Sequence, residues 1–422
     1  MTPRATFRRG RVPTTAHRHI CVVTETYAPE VNGVALSLAQ LVRHLRTEGR
    51  AVSLVHPRQR AADAASSHAE SSTTTVTGVP LPFYKGLQLG LPAGLRLRQL
   101  WTTSRPDVVY VATEGPLGLS AVRTAQRLGI PVFSGFHTNF HEYTRHYRAA
   151  WLGRTLFRYL RWFHNQTAGT LVATHDLQTR LESQGIEHVS VLGRGVDSAL
   201  FTPARRSTRL RHAWGASDGV QVALYVGRVA PEKNVELAIA AYRAMQQVTR
   251  AVRLVIVGDG PSRAALQRQH PDVVFTGIRS GEPLAAHYAS ADVFLFPSET
   301  DTFGNVVLEA MASGLTVVAY NYAAAQAHIS PGETGVLAPL GDRAAFIAAA
   351  VRVAKRPRAH LVVRHRARMH ALSLDWQHVA QNFARVLLGP CPGDTLNPAG
   401  TVFRPRAVES AARVALRFVR RT

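Results

Sequence analysis

Cysteine is nearly absent from this chain: Cys21 and Cys391 are the only two in 422 residues, far apart and without metal-ligand spacing. That excludes a disulfide framework and a cysteine-based zinc site, and it matches a reducing compartment. Long apolar runs are missing too. Nowhere do eighteen apolar residues follow one another, and residues 1–20 are basic and polar without an apolar core. Neither a transmembrane span nor a secretory signal is expected, and the expected location is the cytoplasm. Lysine is scarce, found only at Lys85, Lys233 and Lys355, so arginine carries almost all of the formal +23. Such a charge suits an anionic partner: nucleic acid, an anionic lipid surface or a phosphorylated small molecule. Arginine enrichment also follows from genome composition, so the placement of the charges says more than their sum.

What is present is a long alternation of strands and helices, enough for two ordinary domains. Apolar runs at 19–24, 51–56, 107–112, 131–134, 170–174 and 189–192 predict one parallel series, with helices over 34–49 and 116–128. Residues 61–77, rich in Ser, Thr and Ala, predict an exposed loop. A polar stretch at 197–216 holds Pro203 and four arginines, and the interdomain linker is placed there. A second series follows at 220–226, 253–257, 273–276, 293–296, 316–319 and 335–338, with helices between. The organisation expected is a basic extension (1–18), a first Rossmann-like domain (19–200), a linker (201–217), a second Rossmann-like domain (218–388) closed by a helix near 376–388, and a linker with a basic tail (389–422).

Residues 298–314 read SETDTFGNVVLEAMASG and place Asp301 and Glu309 on either side of a glycine-opened helix start. The run at 293–296 feeds the segment and the run at 316–319 leaves it, so it is the loop and helix of a βαβ unit. In an open α/β sheet that edge binds ligands, and a helix start reached through Gly304 offers free amides to an anion. Carboxylates beside it suit sugar or ribose hydroxyls. The alternative is that Asp301 caps the helix and Glu309 is solvated on its polar face. Upstream, Gly227-Arg228-Val229-Ala230-Pro231-Glu232-Lys233-Asn234 follows the first strand of the second series. Arg228 and Lys233, straddling that turn, can clamp a diphosphate from two sides, or they are two solvated charges. Gly258-Asp259-Gly260 has the look of a nucleotide-binding turn but lacks the third glycine of a dinucleotide fingerprint.

With these residues in place the chain resembles a known family, the retaining GT-B glycosyltransferases of the family 4 type. That group includes phosphatidylinositol mannosyltransferases, GDP-mannose-dependent α-mannosyltransferases, sucrose synthases and sulfoquinovosyltransferases. The resemblance spans roughly residues 19–388. It rests on ordered motifs: Glu30-Val31-Asn32-Gly33-Val34, Phe136-His137-Thr138, Gly195-Val196-Asp197 with Phe201 and Pro203, Gly227-Arg228 with Glu232-Lys233-Asn234, Gly258-Asp259-Gly260-Pro261, and Asp301 to Glu309 with Ala310-Met311-Ala312-Ser313-Gly314.

The resemblance implies an α/β GT-B fold, two Rossmann-like domains facing each other across a cleft. It implies that Glu309 accepts the donor ribose hydroxyls, that Arg228 and Lys233 neutralise the diphosphate, and that Gly304, Asn305 and Val306 bind the donor at the helix start. Gly33 would let backbone approach the diphosphate from the first domain, His137 would lie near the transferred sugar, and Asp301 would face that sugar. Many members carry Glu where this chain has Asp301, a carboxylate one methylene shorter, with seven residues intervening before Glu309 as expected. Departure of the nucleoside diphosphate builds negative charge that fixed cations and helix-end amides stabilise. No Asp-x-Asp motif occupies a suitable strand-end loop, so metal independence is expected, with no cofactor beyond the nucleotide sugar. Retention in the family is written as front-face attack, the leaving phosphate helping to remove the acceptor proton.

The acceptor implied is lipid-linked or a glycan at the cytoplasmic membrane face, with α-mannose from GDP-mannose as the donor and a UDP-sugar as the rival. Arg145, Arg148, Arg154, Arg158 and Arg161 interleave with Tyr147, Trp151, Phe157, Tyr159, Trp162 and Phe163. Such a helix either rests on an anionic membrane surface or packs its aromatics inward. The tail 401–422, with six arginines and a rough apolar stripe, is the stronger peripheral-membrane candidate. A nucleic-acid-binding protein would also explain the charge, but it has no use for ordered cleft motifs, so no specific nucleic acid partner is expected.

Overall fold

The computed structural model describes residues 18–28, 30, 32–58, 72–80, 88–137 and 150–389. The basic extension 1–17, Val31, Lys85, Thr138, Arg145, Tyr147, Arg148, Cys391 and the tail 401–422 lie outside them, as do the side chains of Trp151 and Leu152.

Among the described residues, nine strands precede the chain's midpoint: β1 (His19–Val23), β2 (Ala51–Pro57), β3 (Thr73–Val76), β4 (Gly78–Pro80), β5 (Gln88–Gly90), β6 (Val108–Val111), β7 (Val132–Gly135), β8 (Gly169–Val172) and β9 (Val189–Val191). Seven of them form a sheet in the order β3-β2-β1-β6-β7-β8-β9, paired in parallel throughout, while β4 and β5 make a small antiparallel ribbon. β6 is buried along its whole length and β1 along all but its first residue, as expected when helices cover both faces of a parallel sheet. Of the expected loop at 61–77, residues 61–71 lie outside the described residues, and strand β3 corrects its end. Its TTTV sequence has little hydrophobic alternation, because an edge strand buries only its last residue here, Val76.

The second half supplies β10 (Gln221–Val226), β11 (Val252–Val257), β12 (Val274–Gly277), β13 (Val293–Phe296), β14 (Thr316–Tyr320) and β15 (Val336–Ala338). They form a parallel sheet in the order β12-β11-β10-β13-β14-β15. The order reverses between β10 and β13, and in the first sheet between β1 and β6. Such switch points open a crevice at the carboxyl ends of the strands. Gly227 follows β10 and Ser298 to Asp301 follow β13, so the candidate residues converge there by topology.

The chain passes between sheets twice, and the crossings touch: the Val196 amide donates to the Leu374 carbonyl at 2.9 Å. After the first crossing Phe201, Trp214 and Ala216 are buried in the core of the second sheet, so the expected linker folds as part of that body. The helix Trp376–Leu388, expected to close the second domain, packs instead on the first. Ala380, Phe383, Ala384 and Leu387 are buried with Leu38, Leu41, Val42 and Leu45 of the helix Gly33–Thr47, and Phe383 meets Tyr110 edge-to-face at 4.8 Å. Its apolar stripe has the right period for either body, so sequence did not distinguish them. Burying Phe383 alone is worth about 1.5–3 kcal/mol, which anchors the return crossing.

Candidate functional site

Gly304 opens the helix Asn305–Ala312 with φ +90°, a backbone state that glycine adopts without strain. A Cβ there would approach the Phe296 ring to 3.2 Å. No side chain caps this helix, so Asp301 is not its N-cap, and the Asn305 and Val306 amides have no hydrogen-bond partner among the described residues. They form the anion-receptive end that a leaving phosphate needs.

Lys233 lies beside this start. Its Nζ is 3.1 Å from Asp301 Oδ1 and 3.5 Å from Thr300 Oγ1, and the Thr300 hydroxyl donates to the Glu232 carbonyl at 3.0 Å. The Gly227–Asn234 turn and the β13 loop are therefore one unit. Asp301 Oδ2 is buried without a partner. A carboxylate with one oxygen paired and one free is suited to receive a hydroxyl. Arg228 pairs with Glu232 at 3.1 Å and stays half exposed, its backbone carbonyl accepting from the Tyr225 hydroxyl. Both expected clamp cations thus rest on carboxylates of the same loops.

Glu309 is not solvated. The Tyr288 hydroxyl donates to its Oε2 at 2.8 Å, and burial raises its carboxyl to about 7 although the tyrosine hydrogen bond opposes the shift. Gly258 and Gly260 pack behind the Arg228 segment. A Cβ at Gly258 would fall 1.9 Å from the Gly227 carbonyl oxygen, and one at Gly260 2.3 Å from that of Val229. The Val229 amide in turn donates to the Asp259 carbonyl. The apparent nucleotide turn is thus the buttress of the Arg228 segment.

Hydrogen bonds from the β13 loop and the helix that follows it carry the site across the cleft. Thr302 Oγ1 donates to the His137 carbonyl at 3.2 Å, and Asn305 Nδ2 donates to Ser37 Oγ at 3.3 Å. Ser37 itself donates to the Gly33 carbonyl at 2.7 Å, so the first-domain helix start faces that of the second. Asn32 caps it, accepting from the Val34 and Ala35 amides. A Cβ at Gly33 would meet no atom of the described residues outside its own helix and chain neighbours within 4 Å, so packing among them does not demand glycine there.

His137 is held from both ring nitrogens. Arg194 NH2 lies 3.0 Å from Nδ1, and because a guanidinium only donates, Nδ1 accepts. Nε2 then carries the proton and donates to the Tyr110 hydroxyl at 3.1 Å. Burial, then the Arg194 charge, then His164 hold the imidazole well below the ordinary histidine range, so it is neutral. Arg194 and Tyr110 were missed from sequence. Arg194 stands one residue before the Gly195-Val196-Asp197 motif, and its place in an otherwise glycine-bounded turn was the available signal. Tyr288, the partner of Glu309, gave none, because a tyrosine among alanines in a helix reads as core.

The basic aromatic helix resolves as Ala150–His164. Leu160 and Phe163 are buried while Arg154, Arg158 and Arg161 face out, which is the inward-packing arrangement. Trp162 is 42% exposed, with Arg123 5.9 Å over its ring.

Comparison with known proteins agrees with both halves of this architecture. Residues 31–200 match the family profile described as Glycosyltransferase Family 4, and residues 220–356 match Glycosyl transferases group 1. The chain is 36% identical over 327 residues to a GDP-mannose-dependent alpha-mannosyltransferase of Mycobacterium tuberculosis, covering 76% of this chain and 84% of that protein. A protein of the same name from Corynebacterium glutamicum is 31% identical, with 76% and 77% covered. Among solved structures, Anabaena HepE in complex with UDP and glucose superposes with a TM-score of 0.69 at 19% identity, over 88% of this chain and 99% of that one. Identity of this order across most of both chains decides kinship: the chain belongs to the family 4 glycosyltransferases, is an enzyme of glycosyl transfer, and has the GT-B fold.

Proposed function

We propose that this enzyme is a retaining α-mannosyltransferase that takes mannose from GDP-mannose and passes it to a lipid-linked or glycan acceptor at the cytoplasmic face of a membrane. The observation that carries the donor is the shared name of three relatives at 31–36% identity, each covered over 77–93% of its length. The site chemistry supports the transfer. Lys233 and Arg228 turn from Asp301 and Glu232 to the donor diphosphate, and the Asn305 and Val306 amides add the positive end of their helix. Glu309, oriented by Tyr288, accepts the ribose hydroxyls, and the free oxygen of Asp301 accepts a hydroxyl of the hexose. Gly33 and neutral His137 close the first-domain side without adding a charge near the forming oxocarbenium.

In the reaction the bond from the anomeric carbon to the phosphate oxygen breaks and a bond from the same face to the acceptor hydroxyl forms. The hydroxyl proton passes to the departing phosphate oxygen. The chain's own cations balance the negative charge, so the reading includes metal independence and no cofactor beyond the nucleotide sugar. No helix of the described residues is long and apolar enough to cross a membrane, so contact with a bilayer would be peripheral. Liposome co-sedimentation with and without residues 401–422 tests that part, and equal binding removes the tail's role.

The donor is tested by slow hydrolysis and thermal stabilisation across GDP- and UDP-sugars, with and without a chelator. GDP-mannose is expected to stabilise and to be hydrolysed whether or not chelator is present. Stabilisation by UDP-sugars alone overturns the donor, and strong salt-dependent DNA binding without hydrolysis overturns the whole reading.

A further inference from the structure

The second sheet has a cavity of ≈ 270 Å³ at the edge opposite the donor site. Gln221 begins β10, Thr316 begins β14 and Asp292 precedes β13, so it lies at the strands' amino ends. With six residues in β10, that is roughly 20 Å from the donor edge. Arg206, Arg211, Arg358 and Arg364 line it, and Asp292 is the one acidic residue among the lining. Asp292 accepts from Arg206 at 3.0 Å, Arg211 at 3.1 Å, Arg364 at 3.4 Å and the Val222 amide at 2.9 Å. Four guanidinium groups against one carboxylate leave three positive charges in excess. Arg358 is exposed and has no ion-pair partner among the described residues.

A second deficit sits in the same wall. Gln221 Oε1, Thr316 Oγ1 and His360 Nδ1 are buried without hydrogen-bond partners, and Thr316 is 1% exposed. Buried polar atoms are almost always paired, and an excess of like charge lining one concavity attracts a counter-ion. Finding both deficits in one concavity points to a ligand that brings negative charge together with hydroxyl and ester oxygens. The volume is near the lower end for small-molecule sites and too small to admit a nucleic acid duplex or a bilayer surface.

We propose that this cavity binds a phosphorylated small molecule, a phosphate monoester whose dianion meets the arginines and whose hydroxyls reach the polar wall. The site is separate from the donor cleft but touches its scaffold. Arg364 Nε donates to the Gly314 carbonyl at 2.6 Å and Arg368 to that of Ala312, at the far end of the helix that carries Glu309.

The test is thermal stabilisation of the full chain by inorganic phosphate and by a hexose phosphate, at ionic strength matched with chloride. Saturable stabilisation is expected, stronger for the hexose phosphate. Arg358→Gln removes an exposed side chain and is expected to weaken it about tenfold, the scale of one charge-assisted hydrogen bond. Thr316→Val, nearly isosteric, is expected to weaken it as well, while Lys233→Ala leaves it intact and loses only the response to GDP. Stabilisation no greater than that of chloride, or one lost in Lys233→Ala but kept in Arg358→Gln, overturns the proposal.

Discussion

The Lys233 ammonium sits 3.1 Å from one oxygen of Asp301, while the other oxygen of that carboxylate is buried with no partner. On the proposed reading the donor diphosphate competes with Asp301 for the lysine. Lys233→Ala is expected to lower turnover about a hundredfold, the scale of one lost transition-state charge contact. Asp301→Asn frees the lysine and removes a repulsive charge, so GDP is expected to bind more tightly while sugar transfer falls. Calorimetry with GDP, set beside single-turnover transfer, separates the two effects. Weaker GDP binding by Asp301→Asn would show the carboxylate supporting the nucleotide instead.

Glu309 has a carboxyl raised by burial from 4.5 to about 7. A folded pKa above the unfolded one means that the folded state binds the extra proton between these values. This group therefore lowers stability as pH rises through that window, and its penalty is complete above it. Glu309→Gln keeps the shape and removes the charge. The ligand-free variant is expected to melt higher than the parent at pH 8 and equally at pH 4, while losing most of the stabilisation by GDP-mannose. Melting curves at the two pH values, with and without donor, check this. A variant that keeps the full donor shift would remove Glu309 from the ribose site.

His137 is expected to stay neutral, protonated on Nε2, throughout the working range. Its folded pKa lies well below 6.5, so the stability it contributes is present above the unfolded value and is lost as pH falls through the folded one. Nitrogen-15 NMR of the imidazole should show an unprotonated Nδ1 and no titration from pH 6 to 8. In Arg194→Ala, removal of the guanidinium beside Nδ1 raises the pKa and brings titration toward neutrality. An imidazole that already titrates near 6.5 in the parent protein would contradict the tautomer drawn from Arg194 and Tyr110.

Much of the fold was legible because parallel strands covered on both faces become continuous apolar runs: QVALYV, VRLVIV and TVVAY are strands on sight. The edge strand Thr73–Val76 was not, since a strand buried at one residue carries no pattern. The closing helix Trp376–Leu388 shows what periodicity omits: an apolar stripe says that something is covered, not which sheet. In the candidate site, ordered motifs located Asp301, Glu309 and Lys233, but their partners were hidden. Tyr288 and Glu309 are 21 residues apart, and Arg194 and His137 57 apart, so only the fold makes them neighbours.

Gly33 offers the sharpest separation of ligand from scaffold. It stands at the first position of the helix Gly33–Thr47, and a methyl group there would meet no atom of the described residues outside its own helix and chain neighbours within 4 Å. Alanine is the better helix former by roughly 1 kcal/mol in a helix interior and by less at a terminus. Gly33→Ala is therefore expected to leave the melting temperature of the free protein unchanged or slightly raised. Its Cβ would nevertheless occupy open space at a helix start that Ser37, bonded to the Gly33 carbonyl and to Asn305, ties to the second domain. A diphosphate lodged between those starts would lose its closest backbone contact. GDP-mannose affinity is expected to fall about tenfold or more, the equivalent of one good hydrogen bond to a charged group. The comparison is internal: free-protein melting reads the scaffold, and donor-induced stabilisation reads the cleft. If the variant binds GDP-mannose as the parent does, the diphosphate lies elsewhere and Gly33 has no part in holding it.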